Sequence, residues 1–144
     1  MATTPVVMKV QDYKDREVQM VSYEFDQETD REGQMTGIPR FQMLRVRVKA
    51  LNDGTPELMA WMCDRFLKKD GEIQFLETKT LKVMKTIKFT GAYCVDFQEN
   101  WADKEGHYEE IVISCQNIEV GSVKSRMLWH NANFKHAALK KIKV

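Results

Sequence analysis

Three histidines, three cysteines and two rows of charged residues are the side chains in this chain whose types and spacing could do chemistry. His107, His130 and His136 have no Ser, Cys or Asp at a recognisable catalytic spacing around them, so all three are expected at the surface. Cys63, Cys94 and Cys115 stand alone, with no C-x-x-C and no His at ligand spacing, and are expected as buried thiols. Glycine-rich phosphate motifs and H-E-x-x-H are missing. Enzyme is therefore the weaker class, and no catalytic, cofactor-binding or metal-binding residue is assigned. The charged rows are more telling. Glu24, Asp26 and Glu28 alternate along one face of an extended stretch, with Asp30 and Glu32 continuing the spacing. Arg45, Arg47 and Lys49 alternate with the inward set Leu44, Val46, Val48 and Ala50. If the two strands pair antiparallel, the acidic row can lie opposite the basic one, each pair contributing about 0.2–1 kcal/mol. The ordinary outcome of such rows is a solvated salt-bridge ladder.

The elements that must hold these rows are mostly strands. One stretch, Thr55 to Gly71, predicts a helix: Thr55 as N-cap, Pro56 in the first helical position, Glu57 at the positive end of the dipole, and Lys68, Lys69 and Gly71 at the close. Met59, Met62, Cys63, Phe66 and Leu67 fall on one stripe, which should pack on a sheet, with Trp61 at the helix surface beside Arg65 and Lys68. Strands are expected around Val6–Val10, Val18–Glu28, Phe41–Leu51, Glu72–Glu77, Lys79–Phe89, Ala92–Asn100 and Tyr108–Val120. Thr29 to Pro39, with Gly33, Gly37 and Pro39, is a loop longer than a usual hairpin connection. The fold class is mainly β: a compact barrel or sandwich of about seven strands with one inserted helix.

With 144 residues, 43% hydrophobic and 30% charged, the chain suits one ordinary soluble domain that needs no disulfide or metal. No apolar run reaches the roughly 18 residues of a membrane span, which argues against direct membrane insertion, and no signal-peptide pattern opens the chain, so synthesis and folding in the cytoplasm are expected. Residues 122–144 hold six of the 22 Lys and Arg and none of the 21 Asp and Glu, leaving 16 cations against 21 anions in residues 1–121. That net acidic body argues against a nucleic-acid groove, although Tyr93, Phe97 and Trp101 offer stacking surfaces. The basic end, 122–144, carries Trp129, Phe134 and Ile142 among its cations and is expected to dock on protein in preference to a membrane surface. It forms an extension beyond a barrel domain of residues 1–121.

An ordered set of short motifs then carries a resemblance. Ser22-Tyr23-Glu24-Phe25-Asp26-Gln27-Glu28-Thr29-Asp30, Gly33-Gln34 and Gly37, Leu58-Met59-Ala60-Trp61-Met62 and Asp70-Gly71-Glu72-Ile73-Gln74-Phe75 resemble the tube protein of type VI secretion, Hcp or TssD, in its Bacteroidetes branch. Lys88-Phe89-Thr90-Gly91-Ala92-Tyr93, Ile111-Val112-Ile113-Ser114 and Ile118-Glu119-Val120-Gly121 continue the similarity. The resemblance implies a β-barrel with one helix and six-membered rings stacked into a hollow tube inside a contractile sheath. It also implies a spike at the tip, effectors carried to a target cell, and no catalysis. The protein would be cytoplasmic when assembled and secreted through the apparatus, with the sheath, spike and effector proteins as partners and no nucleic acid. The family's extended loop falls on Thr29 to Pro39, where Met35 and Thr36 replace the proline that relatives often carry.

Together these readings place subunit contacts, within the ring and between rings, at Glu24, Asp26, Glu28, Asp30, Arg31, Gln34, Met35, Ile38, Arg45, Arg47, Lys49, Trp61 and Trp129. In a head-to-tail ring, one subunit's acids would meet the next subunit's bases. The alternatives are a phage-type tail tube protein, which shares the architecture, and a monomeric barrel that binds a small ligand or single-stranded nucleic acid.

Overall fold

A computed structural model of the chain describes residues 5–27, 29–37, 40–41 and 43–126. Glu28, Ile38 and Trp129, with the extension from 127 onward, lie outside the described residues.

The alternating stretches form strands, and one sheet takes nearly all of them. In chain order they are β1 (Val6–Val10), β2 (Arg16–Ser22), β3 (Phe25–Asp26), β4 (Arg40–Phe41) and β5 (Leu44–Lys49), then helix α1 (Glu57–Cys63). After the helix come β6 (Lys69–Leu76), β7 (Val83–Ala102), β8 (Gly106–Val120) and β9 (Val123–Arg126). The sheet runs β5-β2-β1-β6-β7-β8-β9, and a further β5–β8 pairing closes six of the strands into a barrel. β8 makes this possible by dividing one edge between two partners. Its Tyr108–Ile113 half pairs with β5 and its Asn117–Val120 half with β9. The inward residues of the barrel strands fill it, among them Met8, Leu44, Val46, Val48, Ile73, Ile87, Phe89, Ile111 and Ile113, all fully buried.

Four expectations change. The acidic strand stops at Ser22, and Phe25–Asp26 pairs instead with Arg40–Phe41 in a separate two-stranded sheet. The strands expected at Lys79–Phe89 and Ala92–Asn100 are one 20-residue strand, β7. Gly91, which reads as a break, is a kink: it sits at φ 60° and donates its N–H to Asp70 Oδ1 at 2.9 Å. The inward parity changes there, from Ile87 and Phe89 to Ala92 and Cys94, and changes again at the Cys94/Asp96 bulge, after which Phe97 turns toward the core while Val95 stays exposed. Leu81 and Val83, which alternation over Lys79–Phe89 puts on one face with Ile87 and Phe89, are exposed, Leu81 just before the strand and Val83 at its first position. Finally, the boundary expected between Gly121 and Ser122 falls in the tight turn of the β8–β9 hairpin, so the sheet carries on to Arg126.

The helix is less than half the length that the sequence suggests. Asp64 ends it, because its backbone turns extended and its side chain accepts the N–H of Phe66 at 3.1 Å, a local bond that competes with another helical turn. At the other end Pro56, not Thr55, occupies the capping position, with no side-chain cap. Gly71 therefore closes no helix. It lies inside β6, where an added Cβ would stand 2.6 Å from both the Lys9 carbonyl and the Phe89 ring.

The buried face is also rotated. Leu58 and Trp61 point into the core, whereas Met59 and Cys63 are exposed and Phe66, beyond the helix, is 75% exposed. Trp61, placed at a subunit edge by the sequence reading, is 0% exposed. Its ring stands edge-on to Tyr13 at 6.4 Å, and its Nε1 donates to the Leu67 carbonyl at 3.1 Å. The indole thus plugs the barrel and anchors the chain that leads from the helix into β6. Replacement by alanine, Trp61→Ala, is expected to cost about 3–5 kcal/mol through lost burial and the cavity left behind. Urea unfolding followed by circular dichroism checks this; a loss under 1 kcal/mol would return Trp61 to the surface role.

Candidate interaction surface

Outside the barrel, β3 and β4 form an arm whose turn is organised by one carboxylate. Asp30 Oδ1 accepts the N–H groups of Glu32 at 3.0 Å and Gln34 at 2.9 Å, and the Asp30 backbone N–H donates to the Gln34 carbonyl at 2.8 Å. Gly33 takes φ 84° inside this turn, and a Thr29–Met35 bridge closes it. Asp30 is thus a structural acid at the tip. Glu24, Asp26, Arg31 and Gln34 are exposed along the same arm, and Met35 is 69% exposed beside them. A large apolar side chain is thus held exposed at the end of a hydrogen-bonded turn, among charges. At the arm's base Tyr23 packs against the core and meets Phe25 edge to face at 6.2 Å.

The basic row lies where the alternation puts it, on the outer face of β5, but opposite different residues. β2 and β5 do pair antiparallel, with Ser22 against Arg45 and Met20 against Arg47, so the acids of the arm lie beyond the pairing. The counter-charge comes from the other neighbour. Glu110 on β8 lies 3.4 Å from the Arg47 guanidinium and 3.9 Å from that of Arg45, and Arg47 stacks at 4.3 Å over the Tyr108 ring. Lys49, exposed, sits in register with Tyr108. The row is therefore partly satisfied within the chain, which lowers what it can contribute to a partner.

One charged pair escapes the sequence reading altogether. Arg16 and Glu109, both buried, point into the same end of the barrel and form an ion pair, and Arg16 donates a second bond to the Lys49 carbonyl at 3.1 Å. The signal was present in the parity: Glu109 alternates with Ile111, Ile113 and Cys115, and Arg16 stands directly across from the inward Met8. Nearby, His107 Nε2 lies 2.6 Å from Glu99 at the end of the β7–β8 hairpin.

Of the thiols, Cys94 and Cys115 are buried and pushed up to about 12 by desolvation, while Cys63, expected inside, is exposed because the helix stops there. Among the described residues no three His, Cys, Asp or Glu side chains gather as metal ligands. No helix among them is long and apolar enough to cross a membrane. His130 and His136 lie outside the described residues.

A shut six-stranded barrel with one short helix packed against it and a charged arm outside is the Hcp-like fold. The chain belongs to the Hcp (TssD) family, whose model, described as hemolysin coregulated protein Hcp (TssD), matches residues 3–130. Among solved structures, Hcp1 from Flavobacterium johnsoniae is 31% identical, with a TM-score of 0.77 over 85% of this chain and 98% of that one. Hcp1 from the E. coli EAEC 042 pathovar has the same fold at 14% identity, with a TM-score of 0.68 over 84% and 96% of the two chains. A chain of an extracellular contractile injection system, the PVC sheath–tube complex, has it at 18% identity and a TM-score of 0.55, over 85% and 92%. None of the curated proteins matches the chain.

The structure thus gathers Glu24, Asp26, Asp30, Arg31, Gln34 and Met35 on the arm and Arg45, Arg47 and Lys49 on β5, and it removes Trp61 from the surface. For the buried pair the expected result is asymmetric. Arg16→Ala leaves Glu109 unpaired inside the barrel and should cost about 3–5 kcal/mol, whereas the double change Arg16→Met, Glu109→Leu should regain wild-type stability. Urea midpoints of the three proteins decide it, and equal midpoints for all would mean that the pair is solvated.

Proposed function

We propose that this chain is the structural subunit of a type VI secretion tube. Six copies close into a ring, rings stack into a hollow tube, and a contractile sheath expels the tube with its spike and effectors. Family membership over residues 3–130 carries this reading. The shut barrel supports it, since a subunit that must survive expulsion gains from a body without free barrel edges. The work needs no catalysis and no cofactor. Assembly takes place in the cytoplasm, and the protein leaves through the apparatus.

The arm and the outer face of β5 are the contact surfaces of this proposal, and the basic segment beyond β9 is an extension that docks on protein. Met35 at the arm's tip is the residue best placed to reach a neighbouring ring, and its exposure supports the assignment.

Negative-stain microscopy and native mass spectrometry of the purified protein test the reading. Six-fold rings of hexamer mass are expected, and a monomer holding a small molecule or an oligonucleotide would overturn it. The substitution Met35→Asp should leave rings intact and weaken their stacking about tenfold, the worth of about 1.4 kcal/mol. Filaments of wild-type length from that variant would remove Met35 from the stacking contact.

A further inference from the structure

A second charged row crosses the outer face of the sheet, on the far side of the barrel sequence from β5. Lys9 on β1 is in register with Glu72 on β6, Glu72 with Lys88 on β7, Lys88 with Glu119 on β8, and Glu119 with Lys124 on β9. Asp15, in the turn after β1, adds a sixth charge by pairing with Lys9 at 3.0 Å. The signs alternate without a break, from Asp15 at one end to Lys124 at the other. At about 4.8 Å per strand, Lys9 and Lys124 are about 19 Å apart across the sheet.

Cross-strand neighbours of opposite sign stabilise a sheet by themselves. Two observations point beyond that role. Within this row only Lys9 and Asp15 close to an ion pair, and among the described residues Lys88, Glu119 and Lys124 form none. Two grooves, of ≈ 430 and ≈ 400 Å³, lie along the row and share Lys88 and Thr90. The row's ends also differ in kind. Asp15 stands exposed in a turn, and Lys124 stands on β9, the last strand of the sheet, which β4 passes without pairing.

A row that is negative at one end and positive at the other is polar, and identical copies set side by side in the same direction bring unlike ends together. We propose that this row is a contact between two copies of the chain, in which Lys124 of one meets Asp15 of the next and the alternation runs on from subunit to subunit. The contact rests on the tube reading, because a ring needs a head-to-tail interface of this kind. It uses neither the arm nor the β5 row, and it gives the direction of ring closure a cause in named charges.

The test is a charge exchange. Asp15→Lys and Lys124→Glu are purified separately, together as one double variant, and as a mixture of the two singles. Light scattering reads ring mass against concentration at low salt. Each single should raise the concentration for half-dissociation at least tenfold. The double variant and the mixture should both recover rings, because exchanged ends again meet unlike. Circular dichroism checks the fold, and if the new lysine beside Lys9 disturbs the turn, Asp15→Asn with Lys124→Gln measures the same contact without reversal.

Wild-type rings with unaffected single variants, or no recovery on mixing, would overturn this contact and leave the tube reading standing. A wild type that stays monomeric, or stops at a two-fold dimer, would overturn both.

Discussion

The barrel closes because β8 gives half of one edge to β5, and inside that seam sits the Arg16–Glu109 pair. The three strands that meet there come from distant parts of the chain: Arg16 is on β2, the accepting Lys49 carbonyl on β5 and Glu109 on β8. Removing two charges from water is costly, and the arrangement offsets that cost only when the strands are in register. The pair therefore acts as a check on closure. A slip of one residue in β8 would turn Glu109 to the outside and bring the polar parity of that strand inward. Partners 93 residues apart also close a long loop, at a larger chain-entropy cost than the local hairpins β1–β2, β7–β8 and β8–β9.

The helix follows from the same constraint. A barrel of six strands leaves an end to be filled, and a short element with one large ring does this better than a long amphipathic helix. Trp61 supplies the volume, Leu58 extends it, and Asp64 stops the helix before its charged second half would run off the body. Phe66, apolar by type, is left outside by that early stop.

Strand positions were legible wherever one face was buried, because alternation with period two needs no tertiary information: β1, β5, β8 and the inward set of β6 are where the pattern put them. The pattern failed where a backbone irregularity shifts the parity. Gly91 and the Cys94/Asp96 bulge each reverse it within one strand, and a glycine that kinks looks the same in sequence as one that turns. Helix periodicity failed for another reason. Met59, Met62, Cys63, Phe66 and Leu67 do form a stripe, but a stripe is only an offer, and the local bond of Asp64 withdrew its second half. Pairing partners were the least legible of all: the one acid that Arg45 and Arg47 share, Glu110, comes from β8, over 60 residues away, and no spacing rule reaches that far.

A barrel that is shut on itself has spent its edges, so no further strand can join the closed ring. Its outer faces stay exposed, and three parts of the chain stand beyond it: the β3–β4 arm, the β9 strand appended to β8, and the end of the β7–β8 hairpin with its exposed Trp101. Charge is distributed to match. The pair inside the barrel is committed to itself, and the β5 arginines are partly committed to Glu110. On the outer row, by contrast, Lys88, Glu119 and Lys124 hold their charges in register without closing on one another. Interior charges thus specify the fold of one copy, while exterior charges stay available at low cost, since an exposed side chain near an opposite charge loses little by exchanging that neighbour for one on another molecule.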